Sequence, residues 1–132
     1  MLNPFPTMWL SLLAFFILRV TVGFVLIHLG SRHLRERGQL LADLRARYRT
    51  LPPIVIPVLA LAELTIGGLL LIGYHTQYAA LAGVVLALTF LVFRGATESE
   101  LVPPRLFFVL LLGAFLSLFI TGAGIFAFDL PL

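Results

Sequence analysis

Residues 51–73 read LPPIVIPVLALAELTIGGLLLIG, an apolar run that is interrupted by one acid, Glu63, near its middle. A run of this length can cross a bilayer core of roughly 30 Å as a helix. A carboxylate at the centre of such a span costs about 2.5–3.5 kcal/mol even on the milder insertion scales, so it needs a partner or a use. The stretch therefore predicts a membrane-spanning helix with a polar group at mid-depth.

The whole chain has the composition of an integral membrane protein. Of its 132 residues, 61% are hydrophobic and 11% are charged, whereas soluble domains carry about 25% charged residues. Four spans of about twenty residues would use most of this length, which predicts a single membrane domain over residues 1–132. The chain has no cysteine, which excludes thiol relays, iron–sulfur clusters, zinc–thiolate sites and covalently attached haem.

Hydrophobic runs predict an all-α integral membrane protein, a four-transmembrane-helix bundle. The predicted spans cover residues 8–29, 54–73, 78–93 and 106–121. Between the first two spans, leucines recur at helical spacing among arginines. This pattern predicts one amphipathic interfacial helix over residues 34–50, at the inner membrane surface.

The charges predict the orientation. All nine basic residues are arginine, and the net charge is +3. Eight of the nine lie in the loops that follow the first and third spans, while the N-terminal segment, the middle turn and the tail hold none. The positive-inside rule then places both termini outside a plasma or inner membrane that the chain crosses several times. A basic cluster in this position is typical of a cytoplasmic loop, so no nucleic-acid partner is indicated. The first span lacks a positive segment before it and is expected to be retained rather than cleaved.

Arg19, in the middle of the first span, is the predicted partner of Glu63. Counted from the loop that joins their spans, the two residues lie roughly 16 Å and 15 Å deep, so antiparallel neighbouring helices would hold them level. Thr21 and Thr65 could take the remaining hydrogen bonds. Such a pair either fixes the register of two helices or lines a midplane pocket that binds a quinone carbonyl or a lipid headgroup, or relays protons. Both interpretations stay open.

His28 is a further candidate for ligand binding, near the inner surface and on the opposite side of the first helix from Arg19. The chain's three histidines are not level with one another, which argues against haem, and the sequence predicts no metal site and no assigned catalytic residue. Small residues on the helices predict packing faces. These are Gly23, Gly30, Gly67, Gly68, Ala79, Gly83, Ala87, Gly113, Ser117 and Thr121.

Three segments resemble the DoxX family of small four-span membrane proteins. They are RVTVG from Arg19 with HLGSRH from His28, ELTIGG from Glu63 with LIG at 71–73, and GAGIFAFD at 122–129. The chain differs from the family pattern at His33, where the family often has lysine, and at Ile125, where it often has arginine.

The resemblance implies a four-helix membrane bundle that serves as an accessory subunit of a quinone-linked membrane oxidoreductase, as do the small subunits of thiosulfate:quinone oxidoreductase. A diffusible quinone would be the cofactor, with nothing bound covalently. The expected partners are the lipid bilayer and either oxidoreductase subunits or further copies of the chain. The alternative is a non-catalytic membrane assembly or lipid-binding protein. The sequence does not decide whether the chain is an enzyme.

Overall fold

The computed structural model describes residues 4–96 and 99–124, and this part of the chain contains helices and no strand. The helices are α1 (Pro4–Arg35), α2 (Arg37–Arg45), α3 (Val55–Ile72), α4 (Thr76–Ala96) and α5 (Arg105–Thr121). Three of them are long and apolar enough to cross a membrane: α1 over Met8–Arg35, α3 over Val55–Ile72 and α4 over Thr76–Arg94. The fourth apolar helix, α5, has 17 residues and is about 25 Å long.

Helix α3 begins and ends where the sequence predicts. Pro52 and Pro53 precede it, and proline is tolerated before the first turn because the first N–H groups of a helix have no partner within it. Gly73 ends it in the left-handed region (φ 71°), with its N–H bonded to the Leu69 carbonyl. A residue with a Cβ would be strained there. The turn that follows is short and leads directly into α4.

The first two helices have bounds that differ from the predicted segments. Helix α1 continues through polar residues to Arg35, six residues beyond the predicted end at 29. Helix α2 covers Arg37–Arg45 rather than residues 34–50, and it buries Leu40 and Leu44. Leu40 and Leu44 belong to the hydrophobic core, so one face of α2 packs against the rest of the bundle. Leu41 is partly buried and packs against the same core.

The bundle consists of two antiparallel helix pairs, α1 with α3 and α4 with α5, joined side by side through α3 and α4. In the first pair, a Cβ built on Gly30 would lie 2.9 Å from the Glu63 Cβ, and one built on Gly67 would lie 2.9 Å from the Gly23 carbonyl oxygen. Backbones approach this closely only where side chains are absent. These glycines therefore fix the register of α1 on α3.

In the second helix pair, α4 with α5, a small residue packs against a large one. Gly83 of α4 receives the ring of Phe115, and a Cβ on Gly83 would overlap that ring. Phe90 and Phe108 stack in parallel at 5.2 Å between ring centres. Ala79 and Ala87 are also buried.

The small residues of the predicted stripe on α5 do not form its packing face within the described bundle. Gly113 is exposed and a Cβ there would meet nothing within 4 Å, Ser117 is half-buried, and Thr121 is exposed and bonded to its own helix. A stripe of small residues on α4 leaves a groove, and close packing requires large side chains to fill it. Helix α5 supplies them with buried residues at helical spacing, namely Phe108, Leu111, Phe115 and Leu118. Gly68 of α3 likewise faces open space.

Eight of the nine arginines lie at one end of this bundle, which we call the arginine-rich end. It contains the end of α1, all of α2, the start of α3, the end of α4 and the start of α5. Contacts across this end confirm the arrangement, because Tyr48 packs edge-on against Phe93 and Asp43 accepts a hydrogen bond from Ser99. The predicted return of the tail, and the third segment that resembles DoxX, extend beyond residue 124 and lie outside the described residues.

Candidate functional site

Two buried ionisable residues meet inside the bundle, His33 in the last turn of α1 and Glu63 at the middle of α3. His33 Nδ1 lies 2.8 Å from Glu63 Oε2, and the two side chains are 1% and 0% exposed. The other ring nitrogen, Nε2, lies 3.3 Å from the carbonyl oxygen of Leu101. One imidazole therefore connects α1, α3 and the segment between α4 and α5. We call the two hydrogen-bonded side chains the His33–Glu63 pair.

The two hydrogen bonds of His33 define where its protons can be. A carbonyl oxygen only accepts, so Nε2 carries a proton and donates it to Leu101. The bond between Nδ1 and Oε2 then needs one further proton, on either the ring or the carboxyl group. Imidazolium with carboxylate and neutral imidazole with carboxylic acid both satisfy this bond. In both forms the pair carries two protons, one on Nε2 and one in the bond between Nδ1 and Oε2, and it has no net charge, which is the form that a low-dielectric interior disfavours least.

Aromatic rings and aliphatic side chains enclose His33. Its ring stacks on Phe90 at 5.4 Å, and Phe90 in turn stacks on Phe108. The cavity beside it has a volume of about 10 Å³ and is otherwise lined by apolar or aromatic residues, among them Leu40, Leu44 and Val102. A cavity of this size has room for about one water, and water requires two or more polar partners to stay there. Nothing as large as a substrate reaches the pair through this cavity.

A buried segment covers the pair from the arginine-rich end. Residues 99–102 carry the fully or nearly buried Leu101 and Val102. Ser99 Oγ donates to Asp43 Oδ2 at 2.7 Å, and Arg94 Nη1 donates to the Ser99 carbonyl at 2.8 Å. Helices α2 and α4 therefore hold the segment that accepts the proton of His33 Nε2.

Arg19 does not share a site with Glu63, so the predicted ion pair is wrong. Glu63 uses Oε2 for His33, and Oε1 has no hydrogen-bond partner in the described part of the chain. The α1–α3 register places Gly30 beside Glu63. Arg19 lies eleven residues before Gly30, or about 16 Å along the helix, near the other end of α3. Arg19 is itself fully buried, with its guanidinium 5.5 Å from the ring centre of Phe16.

The other predicted ligand-binding residues lie on the outside of the bundle. Thr21 and His28 are exposed on α1. Thr65 is exposed on α3, and its hydroxyl donates to the Leu61 carbonyl of its own helix at 2.7 Å. None of the three hydrogen-bonds to Glu63, and the predicted midplane pocket is not formed from these five residues.

Sequence reasoning missed His33 as the partner of Glu63. The available signal was its place three residues after Gly30, in a helix that continues beyond the apolar run. No group of three or more potential metal ligands occurs among the described residues.

Comparison of the chain with known protein families, with curated proteins and with solved structures finds no match. What the fold and the site define is a class: an all-helical protein with three helices long and apolar enough to span a membrane, built around an enclosed histidine–glutamate pair.

Proposed function

We propose that the chain is a non-catalytic accessory subunit of a quinone-linked membrane oxidoreductase, as its resemblance to the DoxX family implies. The observation that supports a non-catalytic role is the enclosure of the three ionisable groups in the interior of the bundle. Arg19, His33 and Glu63 are at most 1% exposed, while the exposed large hydrophobic side chains are distributed over α1, α3, α4 and α5. Redox centres and the surface for electron transfer then belong to the partner.

In this proposal four helices cross a plasma or inner membrane, with α5 as the fourth. The arginine-rich end faces the cytoplasm, α2 lies at that interface, and both termini are outside. Helix α5 is about 5 Å shorter than a bilayer core of roughly 30 Å, a mismatch that local thinning of the bilayer can absorb at modest cost.

The test is native purification. The tagged chain, extracted from its source membrane with a mild detergent, is expected to co-purify in fixed ratio with a subunit that carries flavin or haem. Deleting the chain should reduce quinone-dependent turnover of that complex, and re-expression should restore it. Recovery of the chain alone or as a homo-oligomer, with unchanged quinone-dependent turnover in the deletion strain, would contradict the proposal and favour an assembly or lipid-binding protein.

A further inference from the structure

A line of three side chains on the outer face of α1 separates two grooves at the arginine-rich end. Phe24, His28 and Arg32 are spaced four residues apart, so they lie along one face of the helix. All three are exposed, and all three line both grooves. We call them the Phe24–Arg32 ridge.

The groove on one side of the ridge is apolar. It is completed by Val25 and Leu29 of α1 and by Pro103 and Phe107 at the start of α5, and its volume is about 500 Å³. The groove on the other side has a volume of about 590 Å³ and is lined by residues 24–36 alone. It is apolar at Phe24 and Ile27 and polar at Ser31, Arg35 and Glu36, so only its Phe24 end suits an acyl chain. Each volume is in the range of about 300–1,000 Å³ that is usual for small-molecule sites.

The ridge is polar at one end and apolar at the other. Arg32 lies in the last turn of α1, towards the arginine-rich end, and Phe24 lies about 12 Å farther from that end along α1. That distance covers most of one leaflet of a hydrocarbon core roughly 30 Å thick. A molecule that follows the ridge therefore has its charged part at Arg32 and its apolar part at Phe24.

Arg32 is available to an anion. Its nearest acidic neighbour, Glu36, is 3.8 Å away, and both side chains are more than 40% exposed. An ion pair of this length and exposure contributes little. His28, one turn deeper, offers a ring nitrogen as a second donor to a phosphate or ester oxygen.

From this arrangement we propose that the Phe24–Arg32 ridge binds one anionic diacyl phospholipid. The phosphate is held by Arg32 and His28, and one acyl chain lies in each groove. Charge selects the headgroup, and the presence of two grooves selects a lipid with two chains. The site is independent of any redox partner, so it can exist whether or not the accessory-subunit proposal holds.

The test measures lipid binding to the delipidated full chain in detergent by native mass spectrometry. Phosphatidylglycerol is expected to bind about five- to tenfold more tightly than phosphatidylcholine with the same acyl chains, since one arginine contributes a factor of this size near a membrane surface. The single-chain lysophosphatidylglycerol should bind more weakly than the diacyl lipid.

Two variants with the same change of charge locate the site. Arg32→Gln should reduce the preference for phosphatidylglycerol to less than about twofold, whereas Arg47→Gln, which lines neither groove, should retain it. Arg32→Lys keeps the charge and should restore most of the preference. Equal binding of both diacyl lipids to the unaltered chain, equal losses in the two Gln variants, or displacement of phosphatidylglycerol by a quinone would each overturn the proposal. Equal binding of the single-chain lipid would overturn the assignment of one chain to each groove.

Discussion

At the scale of single residues, the stability of the interior depends on which charged groups touch. His33 and Glu63 share a hydrogen bond of 2.8 Å, while Arg19 lies about 16 Å from the level of Glu63 along α1. Removing one member of a buried pair leaves the other without compensation, at a typical cost of about 3–5 kcal/mol. The contact between His33 and Glu63 therefore predicts coupling in one double-mutant cycle, and the distance between Arg19 and Glu63 predicts additivity in another.

In the first cycle, His33→Ala and Glu63→Ala should be coupled by about 0.5–3 kcal/mol, because either change removes the same bond. In the second, Arg19→Ala and Glu63→Ala should add to within about 0.5 kcal/mol, because the residues are too far apart to interact. The measurement is the free energy of unfolding of each single and double variant in mixed detergent micelles. Coupling in the second cycle and additivity in the first would show that the α1–α3 register is wrong.

The proton count of the pair gives a further prediction. In Glu63→Gln, the amide N–H can still donate to Nδ1 while Nε2 donates to Leu101, so unfolding free energy should fall by less than about 1 kcal/mol. Glu63→Leu leaves Nδ1 buried without a partner and should cost about 1–3 kcal/mol more. Nitrogen-15 NMR of His33 in the Gln variant should show the neutral ring with its proton on Nε2. A proton on Nδ1, or a Leu variant more stable than the Gln variant, would refute this description.

At the scale of helices, glycine determines which faces meet. Gly67 and Gly68 are adjacent in sequence, yet only Gly67 contacts α1; a Cβ on it would lie 2.9 Å from both the Gly23 carbonyl oxygen and Ile27 Cγ1. A Cβ on Gly68 would meet nothing within 4 Å. Substituting Gly67 and Gly68 in turn therefore tests the α1–α3 contact, because the two positions are in the same helix and receive the same substitution.

Gly67→Ala should destabilise the bundle by about 1–3 kcal/mol, the usual cost of an overpacked contact. Gly68→Ala should be neutral or stabilising by up to about 1 kcal/mol, since alanine is the better helix former. Thermal unfolding of the two variants in the same detergent compares them directly. If both substitutions have equal effects, the α1–α3 contact does not depend on Gly67.

At the scale of the whole molecule, antiparallel pairing brings the charged loops to one end. Helices α4 and α5 are antiparallel, and two contacts define their register: Phe90 stacks on Phe108, and the Phe115 ring packs against Gly83. The same register puts Thr121, at the end of α5, level with Gln77, at the start of α4. Both are exposed and lie at the end opposite the arginine-rich end.

Single cysteines introduced at Gln77 and Thr121 should therefore react with a membrane-impermeant thiol reagent from the same side, and a cysteine at Arg47 should react only from the other. The chain has no cysteine of its own, so the background is low. With the arginine-rich end inside, intact cells should label positions 77 and 121. Labelling of Thr121→Cys and Arg47→Cys from one side would exclude the fourth crossing, and labelling of position 47 in intact cells would reverse the orientation.

The sequence by itself determined the features that depend on local chemistry. The excess of apolar residues predicted a helical chain with segments long enough to cross a membrane. Pro52, Pro53 and Gly73 predicted where α3 begins and ends. Gly23, Gly30 and Gly67 could be predicted as positions where two helix backbones approach closely. Glycine destabilises a helix, so its presence within an apolar helix indicates a packing role.

Tertiary structure alone decided the partner of Glu63 and the filling of the α4–α5 groove. The depth of Arg19 was counted from Gly30, where the apolar run ends, but α1 continues to Arg35. In the structure Gly30 lies beside Glu63, eleven residues after Arg19, so that His33 and not Arg19 meets Glu63. On α5, the large residues face inward because α4 presents small ones, and hydrophobicity is equal on both faces of such a helix. Complementary packing between two helices is a property of the pair, so neither sequence segment contains it alone.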